Sequence, residues 1–191
     1  MNPNLIEYIR RYISISETEI NAFQSYLIPK KIKKKEFLLK QGEFCKSRYF
    51  ITKGCIRLFY IDNKGNEQIV HFGIDNWWIT DYESFINRTP SKLYIQAIEN
   101  TELLELPQET FEELCKEIPQ TEKLFRIIME KTYIAIQKRI EFMYSLKGDE
   151  LFKIFVSKNP EFTQRVPQYM IASYLGMSPE FVSKIKNNIL S

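Results

Sequence analysis

Positions 120–147 form a run of 28 residues without glycine or proline. Because an α-helix rises about 1.5 Å per residue, the run predicts a helix about 42 Å long. Pro119 precedes the run and Gly148 follows it, and both residue types are typical of helix ends. A helix of this length exceeds what one small domain needs, so we expect it to connect two regions of the chain.

The run carries apolar residues on two neighbouring faces. One face follows a spacing of three and four residues and comprises Phe125, Ile128, Thr132, Ala135, Arg139, Phe142 and Leu146. The other face is supplied by Leu124, Ile127, Ile134 and Met143. One face can rest on a neighbouring domain while the other pairs with a second copy in a parallel coiled coil. The alternative is a single long helix buried within a monomer.

Residues 36–106 are rich in short β-branched and aromatic segments separated by turn residues. Positions 49–51, 56–61 and 68–72 are the clearest predicted strands. Residues 62–66, DNKGN, predict a hairpin between the last two, because Asn and Gly tolerate the positive φ of tight turns. Strands at this spacing predict an antiparallel sandwich or barrel. Residues 4–28, upstream, have a helical rhythm with a capping box between Ser16 and Glu19.

The stretch MIASYLGMSPEFVSKI, residues 170–185, predicts two short helices that meet at Gly176. Pro167 suits the first turn of a helix, and Ile171 and Leu175 then fall on one face. Gly176 stands where the chain must leave the helix through a left-handed residue.

The second of these helices is predicted to start with Ser178 as its cap and Pro179 in its first turn. Val182 and Ile185 then face the first helix. Two helices joined by a short glycine-containing turn make the helix-turn-helix arrangement. A helical hairpin that only packs is the alternative.

The outer face of the second helix suits water or DNA better than a core. In a major groove, Glu180 can accept from cytosine N4, Lys184 can donate to guanine, and Phe181 can contact a thymine methyl. The Ser178 hydroxyl and the helix N-terminus can hold a phosphate. The predicted DNA-binding residues are Gln168, Ser178, Glu180, Phe181, Ser183, Lys184 and Asn187.

The composition excludes several other classes of protein. One histidine, no nucleophile motif and no Gly-x-x-x-x-Gly-Lys loop leave no catalytic constellation, so we predict that the chain is not an enzyme. Cys45, Cys55 and Cys115 have neither the pairing nor the spacing of a metal, iron–sulfur or disulfide framework, and we expect no metal or cofactor. No apolar run approaches the roughly 20 residues needed to cross a bilayer, and the start lacks a signal-like apolar core. These features predict a cytoplasmic protein without membrane contact.

A β-roll, a long helix and a terminal helix-turn-helix in this order resemble the Crp/Fnr family of bacterial transcription regulators. The matches outside the terminal stretch are Gly42-Glu43, residues 49–51 with Lys53-Gly54 and Arg57, Gly65-Asn66-Glu67, and Ala97. The resemblance implies an α+β fold with an N-terminal antiparallel β-roll of the cupin-like jelly-roll (double-stranded β-helix) type. It also implies a long dimerisation helix and a small all-α helix-turn-helix domain.

The resemblance implies three regions. These are a cyclic-nucleotide-binding-like sensor over residues 1–118, a connector over 119–147 and a DNA-binding domain over 148–191. It further implies a homodimer that binds double-stranded DNA, with RNA polymerase and a small-molecule effector as further partners. The alternative function is a ligand-binding or protein-interaction module that does not bind specific DNA.

The chain departs from the family pattern in the phosphate cassette. The position of the phosphate-binding arginine is taken by Ser91, and Arg88-Thr89 comes about three residues early. A neutral serine cannot neutralise a buried phosphate, and Asp81 and Glu83 would oppose one. We therefore expect that cyclic AMP is not the effector, and that the pocket holds either another ligand or none. The predicted effector pocket comprises Trp78, Asp81, Tyr82, Glu83, Ser84, Ser91 and Lys92.

Two further departures concern haem and the end of the printed sequence. His71 has no partner cysteine or second histidine, so we do not expect it to bind haem. The residues after Ile185 are too few for the β-hairpin wing that usually follows a recognition helix. We expect fewer phosphate contacts and a weaker salt dependence of DNA binding as a result.

Overall fold

The computed structural model describes the backbone of residues 2–190 and the side chains of residues 2–185. The strands are β1 (Ile28–Ile32), β2 (Phe37–Leu39), β3 (Ser47–Lys53), β4 (Cys55–Ile61), β5 (Glu67–Ile74), β6 (Trp78–Ile79), β7 (Tyr94–Ala97) and β8 (Thr101–Pro107). The helices are α1 (Pro3–Arg10), α2 (Glu17–Ser25), α3 (Tyr82–Asn87), α4 (Gln108–Glu117), α5 (Gln120–Ser145), α6 (Gly148–Lys158), α7 (Pro160–Arg165), α8 (Gln168–Tyr174) and α9 (Pro179–Leu190).

The strands form two antiparallel four-stranded sheets that face each other. One sheet has the order β1-β8-β3-β6 and the other β2-β7-β4-β5. The predicted hairpin joins β4 to β5, where Gly65 has a φ of +83°. The Asp62 carboxylate accepts the backbone N–H groups of Lys64 and Asn66, both at 2.9 Å. The prediction of an antiparallel sandwich is therefore confirmed.

The N-terminal helical region consists of two helices, α1 and α2. Ser16 caps α2 through the predicted box: its backbone N–H donates to the Glu19 carboxylate at 2.8 Å, and the Glu19 N–H donates back to the Ser16 hydroxyl at 3.2 Å. A capping serine satisfies the first N–H groups of a new helix. The helical rhythm continues across the break because both helices bury apolar residues in the same cluster.

Gly176 ends α8 in the predicted left-handed conformation, with a φ of +70°. The Met177 N–H donates to the Ala172 carbonyl at 2.9 Å and the Gly176 N–H to the Ser173 carbonyl at 3.1 Å. This pair of bonds is the Schellman pattern, which satisfies the last carbonyls of a helix. The chain then turns into α9, and the two helices meet through the buried side chains of Ile171, Ala172, Leu175, Val182 and Ile185.

The long helix rests on the roll with a different set of residues from the two predicted faces. Phe125 and Ile128 are buried as one predicted face requires, but Leu124, assigned to the other face, is also fully buried in its own protomer. Of the apolar side chains left exposed on α5, five recur every four and three residues: Met129, Tyr133, Ile136, Ile140 and Met143. We call these five residues the α5 stripe. The helix is therefore only partly buried within the monomer.

The terminal helices share a core with the roll instead of forming a separate core. Phe59, Ile69 and Phe72 of the roll belong to one buried cluster together with residues of α6, α8 and α9. The ring of Phe72 lies 4.9 Å from that of Phe162 and 5.2 Å from that of Tyr174. Apolar burial thus couples the position of the helix-turn-helix to strand β5.

Candidate nucleic-acid interface and ligand pocket

The outward face of α9 is open to solvent. Ser178, Glu180, Phe181, Ser183 and Lys184 are all exposed, whereas Val182 and Ile185 on the other face are buried. Gln168 lies half-buried at the first turn of α8. The side chain of Asn187 falls outside the side chains that the structure describes. The described candidates of α9 therefore share one accessible face.

Ser178 and Glu180 order the start of α9. The Ser178 hydroxyl accepts the Phe181 N–H at 3.2 Å, as expected of a capping serine. Hydrogen bonds from its own backbone N–H and from Ser178 lower the pKa of Glu180, which therefore carries a negative charge at neutral pH. A carboxylate in the first turn also interacts favourably with the helix dipole.

The Phe181 side chain is only partly exposed because its ring packs against the start of α6. A Cβ atom added at Gly148 would lie 2.6 Å from Cε1 of Phe181. The ring can therefore take this position because residue 148 has no side chain. The Phe181 side chain remains 44% exposed. Its exposed edge is the part that can meet a base methyl group.

The cassette residues bond mainly to one another. The Ser91 hydroxyl donates to the Asp81 carboxylate at 2.6 Å, and both residues are about 3% exposed. The Ser84 hydroxyl donates to the Thr89 carbonyl at 2.6 Å and accepts the Cys45 N–H at 2.9 Å. A carboxylate and two hydroxyls thus form a closed, buried cluster.

The side chains of the other predicted pocket residues do not bond to this cluster, although the Glu83 backbone N–H donates to the Asp81 carboxylate at 3.1 Å. Glu83 and Lys92 form an exposed ion pair at 2.9 Å. Tyr82 is half-buried beside Arg48, and burial raises the pKa of its phenol. Trp78 is buried, with its ring between those of Phe50 and Phe125. The seven predicted residues therefore do not line one common cavity.

A cavity of about 240 Å³ lies instead between α1, the β5–β6 region and α5. Its walls include Tyr8, Tyr12, His71, Trp77, Trp78 and Lys131. We call it the His71 cavity. Of this set, Trp78 belongs to the predicted effector pocket. The signal that could have suggested an aromatic wall is the pair Tyr8 and Tyr12, four residues apart in a segment with a helical rhythm, although Tyr12 lies just beyond the end of α1.

Two residues that line the His71 cavity each carry a fully buried polar atom without a hydrogen-bond partner among the described residues. These atoms are Nδ1 of His71 and Nε1 of Trp78. Burial, together with the positive charge of nearby Arg139, lowers the pKa of His71 to about 4, so the ring is neutral at pH 7. The imidazole stacks on the Trp77 ring at 6.0 Å.

Edge strand β5 is held by both the long helix and the helix-turn-helix. The pairing of β4 with β5 shifts by one residue beside Val70. The Val70 carbonyl accepts from the Arg139 guanidinium at 2.8 Å, and the Ile69 N–H donates to the Ser173 hydroxyl at 2.9 Å. The bulge therefore presents backbone groups that two other parts of the chain satisfy.

In the described part of the chain, no group of three or more His, Cys, Asp or Glu side chains is arranged to hold a metal ion. None of the helices in that part combines the length and the hydropathy needed to span a bilayer.

Comparison with known proteins agrees with this architecture. Residues 29–118 match the family model for the cyclic nucleotide-binding domain. The transcriptional activator protein Anr of Pseudomonas protegens is 26% identical over 165 residues, which cover 81% of this chain and 67% of Anr. The fumarate and nitrate reduction regulatory protein of Yersinia pestis is 26% identical over 196 residues, covering 93% of this chain and 77% of the relative.

Solved structures share the fold. FixK2 from Bradyrhizobium japonicum superimposes with a TM-score of 0.72 at 16% identity and covers 85% of this chain and 84% of its own. The c-di-GMP responsive regulator CLP of Xanthomonas campestris gives a TM-score of 0.73 at 15% identity, with 92% of each chain covered. The relatives by sequence are named as regulators, in agreement with the expectation that the chain is not an enzyme.

Proposed function

We propose that this chain, which belongs to the Crp/Fnr family and carries its cyclic nucleotide-binding domain, is a dimeric regulator that binds specific DNA sequences. The observation that carries the proposal is the outward face of α9, where Glu180, Phe181 and Lys184 project from a helix whose other face is buried. The relatives named as transcriptional regulators align over most of this chain. The regulator would act in the cytoplasm, where the DNA is.

The α5 stripe supports a homodimer. Its five apolar side chains are between 37% and 66% exposed and recur with the four-three spacing of a coiled-coil seam. The equivalent stripe of a second copy would cover them, because a twofold axis brings identical surfaces together. This pairing replaces the predicted seam, part of which is already buried against the roll.

Two α9 helices related by such an axis would enter successive major grooves about 34 Å apart. In that position Glu180 accepts from cytosine and Lys184 donates to guanine, while Ser178 contacts the phosphate backbone. A signal received by the roll would act by changing the spacing of the two helices. The buried contacts between the roll and α8 provide the mechanical connection.

We also propose that the cassette does not bind cyclic AMP. The Asp81 carboxylate is buried beside Ser91, at the position where the family resemblance places the phosphate-binding arginine. A cyclic phosphate in that place would meet a buried negative charge and would need a cation to offset it. An exposed Lys92 already paired with Glu83 does not supply that cation.

The test begins with selection of DNA sites from a random library by the full chain. Glu180→Ala and Lys184→Ala are then compared on the selected and scrambled sites at fixed salt, with Lys123→Ala on the exposed side of α5 as control. We expect each α9 substitution to reduce discrimination at one base position, by about 1–3 kcal/mol. The control should bind as the unmodified chain does.

If the α9 variants lose the same affinity for the selected and the scrambled sites, α9 contacts only the phosphate backbone and does not read bases. Selection of no site at low salt would instead favour the alternative of a ligand-binding or protein-interaction module. Calorimetric titration with cyclic AMP tests the proposal that the cassette does not bind this nucleotide. Saturable binding that Ser91→Ala abolishes would contradict it.

A further inference from the structure

We infer that Arg57 is a positioning residue for DNA binding, because it holds the segment of β5 on which the helix-turn-helix rests. The inference rests on the proposed function, since it concerns where α9 presents its outward face. The Arg57 side chain bonds to residues of β5 and β7, and among the described residues it bonds to none of α8 or α9. It therefore acts through the sheet.

The guanidinium group of Arg57 is buried, and each of its nitrogen atoms is hydrogen-bonded. The side chain is 6% exposed. Nε and Nη2 donate to Oε1 of Gln96 at 2.9 and 2.6 Å. Nη2 also donates to Oε1 of Glu67 at 2.8 Å, and Nη1 donates to Oε2 of the same carboxylate. Such a two-point bond fixes the orientation of both groups as well as their separation.

The Arg57 side chain extends along β5 across its bulge. In the ladder between β4 and β5, Arg57 stands opposite Phe72, whereas Glu67 stands opposite Ile61. The pairing shifts by one residue between these two positions. The guanidinium group also lies 4.0 Å from the centre of the Phe59 ring, on the same face of the sheet. The arginine thus bonds to β5 on the far side of the bulge and limits movement of the bulged segment.

The segment that Arg57 holds carries α8. The Ser173 hydroxyl donates to the Glu67 carbonyl at 3.0 Å and accepts the Ile69 N–H at 2.9 Å. The carboxylate of Glu67 is therefore fixed by Arg57, while its backbone supports the first helix of the helix-turn-helix. Because α8 and α9 share buried contacts and the tight turn at Gly176, a displacement of Glu67 is passed to α9.

Arg57 also offsets a negative charge beside the start of α9. A groove of about 600 Å³ lies between the β4–β5 hairpin and the helix-turn-helix, and both Glu67 and Glu180 line it. The Glu67 side chain is 39% exposed. Without Arg57, its carboxylate would be unpaired and would repel DNA phosphates near α9. A test of positioning must therefore separate this effect of charge from the effect of geometry.

The experiment measures which half-site spacings the full chain accepts. Half-sites obtained by selection from a random library are placed at the preferred spacing and at spacings one and two base pairs shorter or longer. The preferred spacing reports the separation and orientation of the two α9 helices in a dimer. We expect Arg57→Met to reduce the preference for one spacing over its neighbours several-fold, because each α9 helix is held less firmly.

The double variant Arg57→Met/Glu67→Gln separates geometry from charge. In Arg57→Met the unpaired carboxylate should also lower the affinity for all sites, most strongly at low salt. The double variant removes this charge and should recover affinity, but it should not recover the spacing preference, because the two-point bond is still missing. Arg126→Met, which breaks an exposed ion pair with Glu130 on α5, is the control for the loss of an arginine and should change neither property.

Leu103→Ala is the control for reduced stability alone. Leu103 is 2% exposed inside the sandwich, in a buried cluster that includes none of the residues of α8 or α9. Its truncation should lower the free energy of unfolding without changing the preferred spacing. Urea unfolding of every variant, before the DNA titrations, establishes the fraction that is folded.

Hydrogen exchange without DNA provides a second readout. The amide of Ile51, in a buried central strand, reports global opening. Arg57→Met and the double variant should accelerate exchange of the Ile69 amide several-fold relative to that of Ile51, whereas Leu103→Ala should accelerate both alike. An unchanged spacing preference in Arg57→Met would overturn the inference, and so would an unchanged ratio of the two exchange rates.

Failure of this inference and failure of the regulator proposal give different results. If the unmodified chain selects no DNA site, the regulator proposal fails, and the exchange ratio still decides whether Arg57 holds β5 beneath α8. If the unmodified chain selects a site and Arg57→Met reads it with the same spacing preference, only the role of Arg57 is contradicted.

Discussion

The hydroxyl of Ser173 in α8 accepts the backbone N–H of Ile69 in β5 at 2.9 Å. The same hydroxyl donates to the Glu67 carbonyl at 3.0 Å. One side chain of the helix-turn-helix thus occupies the free edge of the roll, where a neighbouring strand would otherwise pair. The orientation of the helix-turn-helix depends on this contact as well as on the shared core.

Ser173→Ala is expected to lower the free energy of unfolding by about 1–3 kcal/mol, because both backbone groups of β5 lose their partner. Urea unfolding measures the change, and hydrogen exchange of the Ile69 amide should accelerate. Ser157→Ala is the matched control, since among the described residues the Ser157 hydroxyl bonds only to a carbonyl of its own helix. Equal effects of the two substitutions would show that the contact between Ser173 and β5 is not stabilising.

Ile140→Asp should convert a dimer to a monomer. Ile140 is 46% exposed at the centre of the C-terminal half of the α5 stripe, and a charge there would be buried in the interface. Sedimentation velocity over a range of concentrations measures the association. Ile134→Asp is the control, because Ile134 is 49% exposed on the same helix but lies outside the stripe. Monomerisation by the control alone would place the seam on the other face.

Stability should fall as the pH decreases from 6.5 towards 4 because of His71. The folded-state pKa of about 4 is below the ordinary value of 6.5, so the unfolded chain binds the proton first. The stabilising contribution is complete above pH 6.5, decreases as the pH falls below 6.5, and is fully lost once the pH is below 4. The separation between the pKa of 6.5 in the unfolded chain and that of about 4 in the folded protein limits this loss in the free energy of unfolding to about 3 kcal/mol.

Urea unfolding at pH 7 and pH 5 measures this dependence. His71→Phe should reduce the change between the two values, while carboxylates continue to titrate in both proteins. The comparison is clear because His71 is the single histidine of the chain. An identical pH dependence in the two proteins would mean that the imidazole titrates normally in the folded state.

Gly176→Ala should destabilise the protein by about 1–2 kcal/mol, because a Cβ atom is unfavourable at a φ of +70°. The added atom would also lie 2.8 Å from Cε of Met143, at the flexible end of that side chain. Gly42→Ala is the control: its φ is +88° and nothing lies within 4 Å of the added atom. Thermal unfolding should show a similar loss in both, and no loss at Gly176 would contradict the requirement for glycine there.

Local chemistry made several parts of this protein predictable from the sequence. Gly65 and Gly176 occupy positive-φ positions, and Ser16 and Ser178 cap helices, because each of these features depends on a few adjacent residues. The alternation of β-branched and aromatic segments predicted the sandwich for the same reason. The fold and the outward face of α9 were therefore accessible without coordinates.

For the long helix α5, the sequence was not sufficient to predict which apolar residues are buried. Its apolar residues cover more than half of its circumference, so periodicity alone could not decide which of them meet the roll. Leu124 is buried in the protomer while Ile136 and Ile140 are left exposed, and this division depends on how α1 and the sheets pack around the helix. Tertiary packing thus determined the α5 stripe.

The sequence by itself determined the order of elements, the turn at Gly176 and the residues that α9 presents, because these follow from backbone preferences and short-range patterns. Only the tertiary structure decided that Ser91 bonds to Asp81 inside a closed cassette and that His71, Trp78 and Lys131 surround a cavity. The physical reason is that hydrogen-bond partners and cavities arise between segments distant in sequence. Their relative positions depend on the packing of the whole core.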